Sequence, residues 1–361
     1  MIFWQLLLSV IFCVVDTCTA QEVQVQVMGL FHPSEMVLHA KKSKVLVVHA
    51  EVEGRVESII LNGETGHQYL TFSLRQDGVH VNNLVAQCWS VAARDGAETE
   101  FDLEVPGKLR RTYLGRLQMV SRRGMLEAVV EMGIETAVAS IVGAEIEESA
   151  PLAALRAQAV VTRSYLSAAH RHLDFDFCDT THCQFLKSPP AATSPVAIAV
   201  SSTRGMVLSF RGRVLAAMFS SRCGGHTKSL HDIGYENSGE ESDQYPYYIV
   251  DCEWCLKHPL VWQRYLKKNQ SEPQPADEKK RIKEVRKDGW NTIPGNDFSV
   301  QAEGSDWHLV GHNAGHGVGM CQYGAIGMAN AGADYRAILV HYYPNTSIQR
   351  MDSRQSTEQG G

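Results

Sequence analysis

Apolar and polar residues alternate through EVQVQVMGL (22–30) and KSKVLVVHAEVEG (42–54), a period of two that predicts strands with one buried face. ESIILNGETGHQYLTFSL (57–74) extends the pattern, with a turn at Asn62-Gly63. RTYLGRLQMVSRRGMLEAVVEMG (111–133) reads as a hairpin-like pair about Arg123-Gly124. The period then changes. IETAVASIVGAEIEE (134–148) spaces its apolar residues for a helix, and Ser149-Ala150-Pro151 interrupts it. Pro151 suits the first turn of a second, Ala-rich helix, PLAALRAQAVVTRSYLSAAHRHL (151–173). Strands are predicted again over SPVAIAVSSTRGMVLSFRGRVLAAMFSS (194–221), and a short helix over ADYRAILVHYY (333–343). The expected fold class is α+β: a β-rich N-terminal domain over 21–105, then a mixed α/β domain over 106–350.

The first twenty residues are apolar and end in Thr19-Ala20 before a polar run, which predicts a leader cleaved after Ala20. An uncleaved N-terminal anchor is the alternative, because the run holds no Lys or Arg and is only slightly short of a spanning helix. Either way the chain is expected to be exported, to the periplasm, the cell wall or beyond. Residues 267–289 pass from a Pro-containing linker to a charged helical stretch and read as a solvated insertion. Residues 351–361 read as a disordered tail. The 361 residues are 20% charged with a formal net charge of -6. That excludes the broad basic face that nucleic acid or an anionic membrane surface would need.

Nine cysteines occur, and the seven outside the leader do not fit a simple disulfide framework. Five of them fall in two clusters near histidines. In HRHLDFDFCDTTHCQF (170–185), His172, Cys178, His182 and Cys183 supply the two sulfurs and two imidazoles of a tetrahedral zinc site. Four protein ligands leave no open position, so this zinc is expected to be structural. His170 lies deeper in the helix and is set aside. The rival is a Cys178–Cys183 disulfide, which an oxidising compartment favours. Cys223, Cys252 and Cys255 form a second candidate, with His226 or His258 nearby as a fourth ligand. No thioredoxin-like βαβ unit surrounds the CxxC to suggest a redox pair.

Four segments in order, VGAEIEESAPLAALRAQAVVTRSYL, DFCDTTHCQ, SSRCGGHT and GHGVGMCQYGA, resemble the sporulation stage II protein D (SpoIID) family, whose domain is shared with amidase-enhancer LytB-type proteins. The resemblance covers roughly residues 105 to 350. It implies a SpoIID-type catalytic domain with a glycan-binding groove. It also implies a peptidoglycan lytic transglycosylase, cutting between N-acetylmuramic acid and N-acetylglucosamine to leave a 1,6-anhydro product. The alternative it carries is a non-catalytic glycan-binding protein that enhances a partner cell-wall amidase. Some members of the family carry zinc in the region of the first Cys/His cluster.

Glu145 occupies the position of the family's catalytic glutamate. It follows the apolar run ASIVGA at a helix end, where burial favours a protonated carboxyl. One such acid suffices when the sugar's own 6-hydroxyl is the nucleophile. The chain has Ile146-Glu147 where the family often has Met-Pro, so Glu147 is a competitor for the role, while Glu147 and Glu148 otherwise read as a solvated turn. His316, Gln322 and Tyr323 are the candidate sugar-binding residues, in a glycine-rich segment that admits close backbone approach; locking an irregular loop is the other reading. Gln158 and Arg163 match the family's helix pattern, either as substrate ligands or, for Arg163, as a partner of Glu145 or half of a structural ion pair. Cys321 reads as a small packing residue with no base to activate it.

Overall fold

The computed structural model describes residues 21–180, 182–233, 245–268 and 292–351. The expected leader, most of the charged insertion and nearly all of the tail lie outside the described residues. The chain is a strand-rich α+β protein built on a curled antiparallel sheet of twelve strands. These are β1 (Glu22–Val27), β2 (Glu35–Ala40), β3 (Val45–Val52), β4 (Arg55–Asn62), β5 (Tyr69–Arg75), β6 (Gly78–Val81), β7 (Leu84–Ala86), β8 (Cys88–Ala93), β9 (Thr99–Val105), β10 (Leu109–Arg122), β11 (Met125–Gly133) and β12 (Phe177–Cys178).

The long strand β10 makes the curl. Its first half, Leu109–Gly115, pairs with β9, and its second half pairs with β8 on one side and β11 on the other. The sheet therefore runs across residue 105, where the sequence places a domain boundary. The β10–β11 hairpin turns on Arg123 and Gly124, both at positive φ (52° and 72°), as a two-residue hairpin turn of the primed type requires. At Asn62-Gly63 the chain turns away from β4, but β4 and β5 are not partners: β4 pairs with β3, and β5 with β2. Alternation in β1, β2 and β3 drives Val23, Val25, Met36, Leu38, Leu46 and Val48 into one core with Phe72, Trp89 and Phe101. Each such side chain contributes roughly 1.5–3 kcal/mol by leaving water.

Two helices follow. In α1 (Ile134–Glu145), Ile134, Ala137, Val138, Ile141 and Val142 repeat at helical spacing and pack on this core. In α2 (Leu152–Ala168), which stops short of the expected Leu173, the apolar residues face two ways. Leu155, Ala159 and Leu166 join the first core, whereas Ala157, Val160 and Val161 join a second. The small residues of α2 let it lie between two packed layers.

Residues 195–202 are helical, correcting the predicted strand. Ser194 Oγ accepts from the Ala197 N–H at 3.0 Å and Pro195 occupies the first turn, which is a helix start. This is α3 (Pro195–Ser202); β13 (Met206–Phe210), β14 (Arg213–Val214) and β15 (Phe219–Ser220) come after it. The second core is closed by α4 (Glu253–Lys257), β19 (Met320–Cys321), α5 (Gln322–Asn330) and α6 (Tyr335–Tyr342), the last capped by Asp334. Between them β16 (Trp262–Lys267), β17 (Phe298–Glu303) and β18 (Asp306–Gly311) make a small sheet, and β20 (Ser347–Arg350) pairs with β13. Among the described residues no helix is long and apolar enough to cross a membrane.

Candidate functional site

Glu145 is the last residue of α1. Ile146 after it is extended and buried, so the chain turns sharply while the glutamate side chain stays against the protein. Its Oε1 accepts one hydrogen bond, from the backbone N–H of Phe185 at 2.9 Å. Burial pushes its carboxyl up to about 7, against the smaller opposing pulls of that N–H and of Lys187. A helix C-terminus also disfavours a carboxylate. Glu145 is thus a carboxyl that exchanges its proton near neutral pH, in a position fixed by a backbone donor. Glu147 is exposed, its carboxylate accepting from the Ser149 hydroxyl at 3.4 Å, and Glu148 is exposed too.

The loop that carries Phe185 is itself tied down. Arg111 of β10 donates to the Leu186 carbonyl at 2.7 Å, pairs with Asp179 at 3.3 Å and lies over the Phe185 ring. Asp179 also accepts from the Met28 N–H at 3.0 Å, and burial still raises it to about 6. Neither Arg111 nor the Phe185 amide is singled out in the sequence, and both bear on the setting of Glu145.

The same loop carries the first Cys/His cluster. The ligand atoms of His172, Cys178, His182 and Cys183 lie within 4.8 Å of one another, with Sγ–Sγ of 3.4 Å and His172 Nε2 at 3.2 Å from Cys183 Sγ. Cys183 pulls the Cys178 thiol down to about 3 by hydrogen bonding, despite burial. The donor set suits a tetrahedral metal. His170 turns outward to Asp176. Both cysteines are free thiols, without the expected rival disulfide.

A second cluster unites Cys223, Cys252 and Cys255 with Cys321, four buried thiols that could hold a metal. Neither histidine suggested by the sequence takes part: His226 is exposed and pairs with Asp251, and the His258 ring lies edge-on to Tyr323. In the sequence both Cys88 and Cys321 stand outside the clusters, and Cys321 reads as a packing residue; its sulfur instead joins this set.

The expected sugar ligands divide. Gln158 and Arg163 are 0% exposed and Gln322 is 6%. Gln322 donates to Gln158, which donates to Thr162, joining α5 to α2. Arg163 grips Glu135, at 2.9 and 2.7 Å, rather than Glu145. For Gln158 and Gln322 this corrects the expected sugar contact, while Arg163 takes the structural ion pair that the sequence also offered. His316 and Tyr323 are half-buried; His316 Nδ1 accepts from the Val318 N–H, and Arg222 stacks over the Tyr323 ring at 3.8 Å. The glycines of this segment meet protein. Gly319 has φ +71°, and a Cβ there would fall 1.9 Å from the Met218 carbonyl oxygen.

A buried carboxyl next to the loop of one metal-competent cluster, with a second such cluster elsewhere on a strand-rich α+β scaffold, is the arrangement to set against known proteins. Residues 122–210 match the family model described as Stage II sporulation protein, SpoIID. An uncharacterised protein of Brachyspira hyodysenteriae (strain ATCC 49526 / WA1) is 28% identical over 272 residues, 65% of this chain and 72% of that one. The amidase enhancer of Bacillus subtilis (strain 168) is 44% identical over 50 residues, 14% of this chain, which spans 7% of that relative. Each is a likeness over part of the chain, and the match to the SpoIID family model lies over residues 122–210.

Proposed function

We propose that this protein is a lytic transglycosylase that cleaves the bond between N-acetylmuramic acid and N-acetylglucosamine in peptidoglycan glycan strands. The observation that carries the reading is the buried Glu145 carboxyl, pushed up to about 7 and bonded to the Phe185 amide, in the position of the family's acid. In the reaction Glu145 gives its proton to the glycosidic oxygen as the C1–O bond breaks. The 6-hydroxyl oxygen of the muramic residue bonds to C1, and its proton passes to the Glu145 carboxylate. The acid is regenerated, no water is consumed, and the product is the 1,6-anhydro sugar. One carboxyl serves both proton transfers, so the second carboxylate of hydrolytic glycosidases is not needed. His316 and Tyr323 are the remaining candidates for sugar contacts.

The first Cys/His cluster suits one zinc with four protein ligands, a cross-link without an open coordination position. It ties together the loop whose Phe185 amide reaches Glu145. Such a substrate implies action outside the cytoplasm, in keeping with the expected leader.

A second reading is a glycan-binding protein that stimulates a partner amidase, favoured by the 50-residue match to the Bacillus amidase enhancer. Mass spectrometry of purified glycan strands after digestion separates the two. Anhydro-muramic ends identify the transglycosylase; intact strands together with stimulated amidase turnover identify the enhancer.

A further inference from the structure

The four thiols of Cys223, Cys252, Cys255 and Cys321 come from three separate stretches of chain. We infer that they form a second zinc site, a tetrathiolate that clamps the glycine-rich segment 313–324 to the loop at 221–226 and to α4. Its fourth ligand is Cys321, which stands between the glycine-rich turns and α5.

The geometry is that of a shared centre. All four sulfurs lie within 4.8 Å of one another, and Cys255 Sγ to Cys321 Sγ is 3.6 Å. A disulfide would draw two sulfurs to about 2.05 Å and leave the others apart. Here the four are gathered as a set, as tetrahedral ligation requires, at separations that zinc–sulfur bonds of about 2.3 Å span.

The backbone brings the set together through its own bonds. The Cys252 N–H donates to the Gly225 carbonyl at 2.7 Å, and the Tyr323 N–H to the Ser221 carbonyl at 3.1 Å. Arg222 and Ala314 exchange two bonds, and β15 pairs with β19 through Ser220 and Cys321. Each ligand is thus anchored one to three residues away by contacts that pure packing of small thiols would not need.

The surroundings are built for anionic sulfur. The Gly324 N–H points at Cys321 Sγ at 3.4 Å, and the Tyr342 hydroxyl lies 3.4 Å from Cys252 Sγ. Donors to ligand sulfurs are the usual second layer of a thiolate metal site. α5 presses so closely that a Cβ on Gly324 would fall 2.0 Å from the Tyr342 hydroxyl and 2.6 Å from Cys252 Sγ. The cluster is closed on all sides, with every cysteine buried. Such a centre leaves no room for substrate and acts as a clamp. What it fixes is the segment bearing His316 and Tyr323, separate from the loop of the first cluster. The inference does not depend on the transglycosylase reading.

The test uses the full chain purified without chelator. Elemental analysis should return about two zinc ions per chain, and zinc X-ray absorption should show an average of about three sulfurs per metal, two at one site and four at the other. Cys178→Ser should remove one zinc and raise the average toward four sulfurs. Cys255→Ser should remove the other and lower the average to two. If either variant fails to fold, the unaltered chain's zinc content and sulfur number still decide. One zinc with two sulfurs, iron in place of zinc, or peptide mapping that finds a disulfide among Cys223, Cys252, Cys255 and Cys321 overturns the assignment.

Discussion

The Phe185 backbone N–H donates to Glu145 Oε1 at 2.9 Å, forty positions along the chain. Phe185 stands two residues beyond Cys183, so the candidate acid and the first ligand cluster share one short loop. The placing of the Glu145 carboxyl therefore depends on the integrity of that loop.

Glu145→Gln keeps an oxygen that accepts from the Phe185 amide but carries no transferable proton. Anhydro-muramic product from purified strands should fall by about 10²–10⁴-fold, the usual worth of general acid catalysis. Glycan binding and the circular dichroism spectrum should be unchanged. Glu147→Gln, exposed as that residue is, should turn over like the unaltered protein. Turnover retained by Glu145→Gln, with the fold intact, removes Glu145 from the reaction.

The carboxyl at about 7 gives a signed pH dependence. Activity requires the protonated form, so kcat/KM should be level below pH 7 and fall about tenfold per pH unit above it. Stability runs the same way. The folded state holds the proton more tightly than the unfolded chain, whose glutamate titrates near 4.5, so folding loses stability as pH rises from about 4.5 to about 7. The full cost above that range is at most about 3 kcal/mol. Denaturant midpoints of the unaltered protein and of Glu145→Gln should therefore converge at pH 4 and separate by pH 8, with the variant the more stable.

Much of this arrangement was legible in the sequence. α1, the Arg123-Gly124 hairpin and the position of Glu145 follow from periodicity, turn chemistry and family motif. The run Pro195–Ser202 was not, because its Val, Ile and Ala residues suit a buried strand as well as a helix; the Ser-Pro start was the missed sign. Gln158 and Arg163 sit where the motif puts them, but a motif does not say which way a side chain faces. Neighbouring elements turn them inward: Gln158 meets Gln322 of α5, and Arg163 meets Glu135 of α1. Cys321 lies 66 positions from Cys255, and its place among the thiols is a matter of tertiary closure. The Phe185 amide leaves no mark at all, since every residue but proline has one.

Metal removal should loosen the Glu145 loop before it unfolds the protein. With a strong chelator present, the Phe185 amide should lose hydrogen-exchange protection, while amides of β10 and β11 keep theirs. Melting temperature should fall, since metal binding of this type adds to folding free energy. Restoring zinc should restore both. Exchange at Phe185 that ignores the chelator would separate the ligand cluster from the acid and leave the cluster only a local cross-link.

Arg163 tests whether the polar residues of α2 serve substrate or structure. The guanidinium is 0% exposed and makes two parallel bonds to Glu135, with further bonds to the Ala159, Val200 and Met206 carbonyls. Glu135 also accepts from the Gly205 N–H at 3.1 Å, so the pair joins α1, α2 and the start of β13. Arg163→Met removes the charge but keeps much of the volume. It leaves the Glu135 carboxylate without its buried partner, a change that typically costs about 3–5 kcal/mol. Arg163→Met combined with Glu135→Leu removes both charges and should recover much of that loss. Urea titrations of the two single variants and the pair measure this directly, with the coupling read from the cycle. A residue that instead gripped glycan would show near-normal unfolding midpoints and a raised KM. For Arg163→Met we expect the reverse: a lowered midpoint, and an unchanged KM at temperatures where the variant is folded.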